Sequence, residues 1–477
     1  MSKTRQTSYI RILLLLLALQ IFTEVRAQGL SVTITVDRER RAAHIEGEFA
    51  EGYQPATDRI VTFRSQVIGD GTLAERISSL QFSTADGVRL PSLPMRPGEF
   101  VVQPGYAKWR YSVSLGNRPN RAAAHASWMS DDAAVLMLDD LLPIFGGNRR
   151  QLKTEVSLRS PDGWRAMTSA PSTGNGRFSF SNTEGAVIFA GRNFREIPVR
   201  AKGGKTALII DGEWHFTDAE AAAMAGEIYD AYTRKLGTLP TESSVFALLK
   251  FPVAENPGVW EAETRGSTVT IVSSDTHFKT QSQQRLHEQF RHEIFHLWFP
   301  NASNLTGDYR WFYEGFALYE SLKLGVELKR IRFDDLLDTL SRAYTIDRNS
   351  RPVGPFSDSV NTDPTLLYAR GMLIAFMTDL KTIRSSGGKR DSTELLKELF
   401  ARHKGSAASI EANVALQGII GSDAFEKFVL EAQPIDWTNE VTSAGFESSL
   451  TRRTFQLRVT PNPDGRQRAI LKSLGYN

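Results

Sequence analysis

The chain has 477 residues, with 57 lysines and arginines against 54 aspartates and glutamates, a formal charge of +3. That excess lies within residues 1–27, where Lys3, Arg5, Arg11 and Arg26 face Glu24 alone; the rest is formally neutral, has no global field to attract phosphate, and nucleic acid is not an expected partner. No cysteine is present, which rules out disulfides, thiolate nucleophiles and Cys-ligated zinc or iron–sulfur centres.

Residues 1–11 are polar and basic, residues 12–22 form a short apolar run, and Val25-Arg26-Ala27 precedes Gln28. This is the order of a cleavable signal peptide, and the run is too short to cross a ~30 Å bilayer core comfortably. Residues 1–27 are therefore expected to be removed. The mature protein is expected to be exported, periplasmic or secreted, with no stable membrane anchor. Hydrophobic residues at 41% and charged residues at 23% fit a globular chain, and the length suggests about three domains.

From Leu30 to about Val199 the period is two. Val32, Ile34 and Val36 alternate with Thr33 and Thr35, and the pairs Val113/Leu115, Val156/Leu158 and Phe178/Phe180 repeat the pattern between turn clusters such as Asp162-Gly163. Residues 28–200 are expected to form an all-β, sandwich-like domain. Near residue 205 the pattern changes. Ala207–Ile210, Val245–Phe251 and Val269–Val272 read as strands. Thr217-x-x-Glu220 reads as a capping box opening a helix to about Leu236. Residues 282 to about 380 read as mostly helical, broken at Ser385-Ser386-Gly387-Gly388. The expected fold class is α+β and multidomain: the β domain, a mainly helical domain over 201–435, and a short tail over 436–477 with one strand, Phe455–Val459.

His292-Glu293-Ile294-Phe295-His296 is an H-E-x-x-H motif within the helical stretch. Spacing of i, i+4 puts both imidazoles on one helix face, where they can bind the same ion, and Glu293 can reach the water of that ion without being a ligand. His287-Glu288 is followed at i+4 by Arg291, so it makes no second site. A catalytic zinc needs a third protein ligand and one open position. Glu314, in Trp311-Phe312-Tyr313-Glu314-Gly315-Phe316-Ala317, is the candidate: a carboxylate among aromatic residues is costly unless something compensates its charge.

Residues 292–301 (His-Glu-Ile-Phe-His-Leu-Trp-Phe-Pro-Asn) and 311–317 together resemble the gluzincin metallopeptidases, in their membrane-alanyl-aminopeptidase-like and glycyl aminopeptidase branches. The resemblance implies a thermolysin-like catalytic domain and one Zn2+ per chain held by His292, His296 and Glu314. Tyr368-Ala369-Arg370-Gly371 is similar to the Tyr-x-Lys-Gly motif of both branches, which implies that Tyr368 steadies the oxyanion; Arg370 stands where the motif has lysine. Seventeen residues separate His296 from Glu314, one fewer than in the alanyl-type pattern. The block that binds the substrate amine in these families has a degraded counterpart over 258–268. Glu261 matches it by its N-terminal context and Glu263 by its C-terminal context. The chain ends too soon for the PDZ module of the glycyl branch or the helical C-terminal domain of the alanyl branch, which implies a more open cleft rim.

The expected activity is zinc-dependent hydrolysis of peptide bonds. Glu293 acts as general base, Tyr368 supports the oxyanion, and Glu261 or Glu263 holds the α-amine of an aminopeptidase substrate. Glu320 is expected to be either an acid orienting a ligand histidine or, slightly favoured, a surface helix charge. The alternatives are an endopeptidase or other hydrolase on the same site, and a non-catalytic peptide-binding protein that retains the fold. Peptides are the expected partners; the sequence leaves the oligomeric state open.

Overall fold

Alternation of apolar and polar residues marks the strands of the N-terminal part of the chain. A computed structural model describes residues 29–50, 59–116, 119–146, 152–350, 352, 354–405, 408–451 and 454–476; the expected signal segment lies outside them. The chain divides into two compact units, one ending at Phe194 and one beginning at Arg195.

In the first unit Val32, Ile34 and Val36 are buried while Thr33 and Thr35 are half-exposed, as period two requires. Their strand, Gly29–Asp37, sits inside an eight-stranded sheet, parallel to Lys153–Arg159 and antiparallel to Ala42–Phe49. Two four-stranded sheets complete the unit. One core joins Ile34, Trp109, Tyr111, Val156 and Phe178 of the large sheet to Leu136 and Ile188 of a smaller one. Gly47 is required where it stands: a Cβ there would meet the Trp109 ring at 2.4 Å. No helix of this unit exceeds four residues among those described.

The second unit has a five-stranded sheet built from β1 (Arg195–Pro198), β2 (Lys205–Ile210), β3 (Ser243–Leu249), β4 (Trp260–Arg265) and β5 (Thr268–Ser273), in the order β1-β2-β3-β5-β4. β2, β3 and β5 run parallel; β1 and β4 are antiparallel edge strands. The crossover from β2 to β3 is α1 (Asp218–Leu236). It opens on the Thr217/Glu220 capping box and closes on Gly237 in a left-handed conformation. Then come α2 (Lys279–Phe295), α3 (Arg310–Glu327), α4 (Phe333–Asn349), α5 (Pro364–Ser385) and α6 (Ser392–His403). Phe290 and Ile294 of α2, Trp311 and Phe316 of α3, and Leu373 and Phe376 of α5 share one core with Ile271 of β5.

The β-then-helical layout expected from periodicity is therefore the layout of the chain. Two stretches differ in detail. Residues 260–265, read as part of a motif block, form a strand that pairs antiparallel with β5 over its full length. The last residues hold more than one strand: β6 (Phe446–Thr451) pairs with β7 (Thr454–Val459), and a helix follows at Gly465–Ser473. Leu457 is fixed to α4 through its N–H, which donates to Ser341 Oγ at 2.9 Å. Among the described residues no helix is long and apolar enough to cross a membrane.

Candidate metal centre

α2 buries Leu286, Phe290 and Ile294 in the core, and His292 and His296 follow one another on a neighbouring face one turn apart. Their Nε2 atoms lie 3.2 Å apart. Glu314, on α3, brings Oε2 to 3.3 Å from His292 Nε2 and 3.5 Å from His296 Nε2. Ligand atoms about 2.0–2.1 Å from a tetrahedral ion stand about 3.3–3.4 Å from one another, so the triangle has the size of one face of a zinc tetrahedron. His296 Nδ1 lies 2.9 Å from the Phe299 carbonyl; donating there leaves the Nε2 lone pair for the centre.

The electrostatics agree with the geometry. Glu314 Oε2 is enclosed and has no hydrogen-bond partner among the described residues. Burial alone would raise its pKa, but the two imidazoles outweigh burial and hold the carboxyl well below the usual carboxylate range. Burial lowers His296, and the Glu314 carboxylate more than reverses this, raising it to about 9. A divalent ion replaces the proton such a set retains. Two neutral nitrogens and one carboxylate suit Zn2+ in a site that keeps a fourth position open.

Glu293 lies between the ligand histidines in sequence but is not in the triangle. It is buried, and burial is the main reason its pKa is raised. Its carboxylate is oriented from β4: Thr264 Oγ1 is 2.9 Å from Glu293 Oε2 and 2.8 Å from its carbonyl oxygen. Asn301 fixes that strand to the end of α2. Its Nδ2 donates to the carbonyls of Thr264 (3.0 Å) and His296 (2.9 Å), and its Oδ1 accepts from Gly266 N (2.6 Å).

Tyr368 enters from the first turns of α5, which is capped by Asp363 and begins with Pro364. Its ring centroid lies 6.4 Å from that of His292. Burial chiefly, and then Glu314, push its hydroxyl pKa up, so it is a proton donor at neutral pH. α3 and α5 cross backbone to backbone at two glycines. A Cβ on Gly315 would meet the Gly371 carbonyl carbon at 2.2 Å, and one on Gly371 would meet the Trp311 oxygen at 2.3 Å. These two positions sit one residue after Glu314 and three after Tyr368, so the crossing sets the distance between both groups.

By sequence the chain matches no family profile and no curated protein. By structure it is similar to an aminopeptidase N family protein from Idiomarina loihiensis, with a TM-score of 0.71 at 15% identity over 88% of this chain and 79% of that one. It is also similar to an M1 zinc metallopeptidase from Deinococcus radiodurans, with a TM-score of 0.54 at 16% identity over 83% and 91%. A mutant of the latter bound to a Tyr-Ser-Ala substrate gives 0.57 at 17% identity over 85% and 94%. The fold is one shared with M1 zinc metallopeptidases.

Other residues singled out in the sequence stand as follows. Alternation along β4 sets Glu261, Glu263 and Arg265 on one face and Thr264 on the other, toward Glu293. Glu263 Oε2 accepts from Arg265 Nη2 at 2.9 Å. Glu320 is neither a surface charge nor an acid on a ligand histidine. It is buried and accepts from Ser392 Oγ (2.6 Å) and Thr393 Oγ1 (3.0 Å) at the start of α6. Arg370, in the lysine place of the tyrosine motif, points into structure: it pairs with Asp347 at 2.6 Å and donates to the Phe428 and Gln433 carbonyls. His287 is buried, and burial pushes its pKa down to about 3.

Three residues escaped the sequence reading. Thr264 carries no signal of its own. Asn301 closes the 292–301 segment but has no metal-ligand chemistry to mark it. Arg310, the first residue of α3, approaches Tyr368 and Glu314 with its guanidinium, and burial, which would lower its pKa, is outweighed by those neighbours.

Proposed function

We propose that the chain is a zinc-dependent peptidase, exported to the periplasm or the medium, that removes N-terminal residues from peptides. The observation that carries this reading is the 3.2–3.5 Å triangle of His292, His296 and Glu314, with a separate buried carboxylate, Glu293, held beside it. The likeness in fold to M1 zinc metallopeptidases supports it. Export rests on the signal pattern of residues 1–27.

Zinc, when bound, polarises the scissile carbonyl and lowers the pKa of a water it holds toward ~7. Glu293 takes the proton of the attacking water and delivers it to the leaving amine. Thr264 keeps the Glu293 carboxylate turned toward the reacting atoms. The Tyr368 hydroxyl donates a hydrogen bond to the oxygen on which negative charge develops. β4, an edge strand, gives an extended peptide a backbone to lie along, and Glu261 or Glu263 on it would hold the terminal ammonium.

A second reading, an endopeptidase on the same site, is favoured by one observation: Glu263 already has a cation, Arg265, at 2.9 Å. The experiment uses both free and N-acetylated peptides. An aminopeptidase cleaves only the free ones; cleavage that survives acetylation selects the endopeptidase. In either case Glu293→Gln is expected to retain zinc and lose about 10²–10⁴-fold in turnover. Unchanged hydrolysis by that variant would falsify the peptidase mechanism.

A further inference from the structure

Arg310 begins α3 one turn before Glu314, on the same helix face. Burial would lower the pKa of its half-buried guanidinium, and the nearby Tyr368 and Glu314 more than reverse this. Among the described residues no carboxylate oxygen forms an ion pair with it; Glu314 Oε2 is turned to the two imidazoles, within 3.3 and 3.5 Å of them. Asp308, two residues earlier, is engaged by Ser359, whose N–H donates at 2.9 Å and whose hydroxyl also bonds it. Other buried or half-buried arginines of this unit hold carboxylates, among them Arg195 with Asp218 at 2.7 Å, Arg265 with Glu263 at 2.9 Å and Arg370 with Asp347 at 2.6 Å. Arg291 does not, but it packs on Gly325, at the far end of α3 from the metal centre. Arg310 is thus a cation with a five-donor fork on the helix face that carries Glu314, near the Tyr368 hydroxyl, with no carboxylate in ion-pair contact among the described residues.

We propose that Arg310 is a specificity-determining residue that receives the free C-terminal carboxylate of a dipeptide. This inference rests on the peptidase reading. The length follows from reach. In a dipeptide the carboxylate lies one residue beyond the scissile carbonyl, about 3.8 Å along the chain, and each added residue moves it a further ~3.3–3.6 Å. A guanidinium that also approaches Tyr368 and Glu314 stays within a charge-assisted, two-bond contact only of the nearest such carboxylate.

The test compares Leu-Gly, Leu-Gly amide and Leu-Gly-Gly. The native protein is expected to prefer Leu-Gly over its amide by at least about 10-fold in kcat/KM, mainly through KM, and to prefer it over the tripeptide. Arg310→Met is expected to bring the acid-to-amide ratio to about 1, with Arg310→Lys in between. A ratio is unaffected by general structural damage, so the variant remains informative even when less stable. Calorimetry on zinc-loaded Glu293→Gln protein provides a readout without turnover: Leu-Gly is expected to bind at least about 10-fold tighter than its amide, and equally to it once Arg310→Met is added. Equal affinity for acid and amide in the presence of Arg310 overturns the proposal. So does an Arg310→Met variant that slows both substrates with their ratio intact, the result expected if Arg310 acts on Tyr368 alone. Tighter binding of the acid without any hydrolysis by the native protein keeps this inference and rejects the peptidase reading.

Discussion

Two carboxylates on α3, Glu314 and Glu320, lie six residues apart, Glu320 buried and Glu314 largely enclosed. Their surroundings are opposite. Glu320 is surrounded by donors: Ser392 and Thr393 hydroxyls bond it, and Lys323 lies 3.9 Å away while pairing with Asp379 at 2.9 Å and Asp391 at 3.2 Å. Burial is the main reason its pKa is raised, and every oxygen has work within the fold. Glu314 Oε2 has no hydrogen bond and faces two imidazole nitrogens. The difference separates architecture from chemistry. A buried carboxylate that the fold satisfies joins helices; one that the fold leaves unsatisfied beside two nitrogen lone pairs is set for a cation.

The comparison is broken most severely at Glu314. Glu314→Gln is expected to abolish turnover and to remove the stabilisation that zinc gives the native protein. With zinc at 100 times its Kd that increment is about 2.7 kcal/mol. Thermal unfolding with and without zinc measures it, and a full increment in the variant would show that Glu314 is not a ligand. Glu320→Ala should show the reverse signature. It leaves two buried hydroxyls without their acceptor, so it is expected to cost about 1–3 kcal/mol of stability in chemical unfolding, with the zinc increment intact. Loss of the increment there, at unchanged stability of the metal-free protein, would make Glu320 part of the metal centre after all.

How far these roles were legible in sequence depends on the range of the contact. His292 and His296 are four apart on one helix, so local spacing places them together. The strand-then-helix order is local too, since period two and period 3.6 are properties of short windows. Glu314 is legible at longer range because a carboxylate among Trp311, Phe312 and Phe316 demands compensation and because residues 292–301 and 311–317 together resemble a known metal-binding pattern. Glu320 was misread for the complementary reason: its partners, Ser392 and Thr393, are more than seventy residues away and nothing near it in sequence announces burial. Arg370 departs from the motif in sequence, and the reason, its pair with Asp347 between α5 and α4, is again a tertiary contact. The same holds for the Gly315/Gly371 crossing. Each glycine is unremarkable alone, and only the packing of α3 on α5 shows that neither admits a methyl group.

The mildest test concerns Thr264, where a strand and a helix meet. Its hydroxyl donates to the Glu293 carboxylate, and Asn301 holds the same strand to the zinc helix, so removing the hydroxyl should loosen the base without releasing the metal. Thr264→Val keeps the branched shape that suits β4 and deletes only the donor. Such a change in the shell around a metal centre typically costs 10–100-fold; because Glu293 remains and Asn301 still fixes the strand, the expected loss in kcat is at the lower end, about 10-fold. Zinc content should stay at one per chain, and Thr264→Ser, which restores the hydroxyl, should recover most of the rate. A Thr264→Val protein with native kcat would mean that burial and packing alone orient Glu293. An equal loss in Thr264→Ser would point instead to the methyl group and its packing against α2.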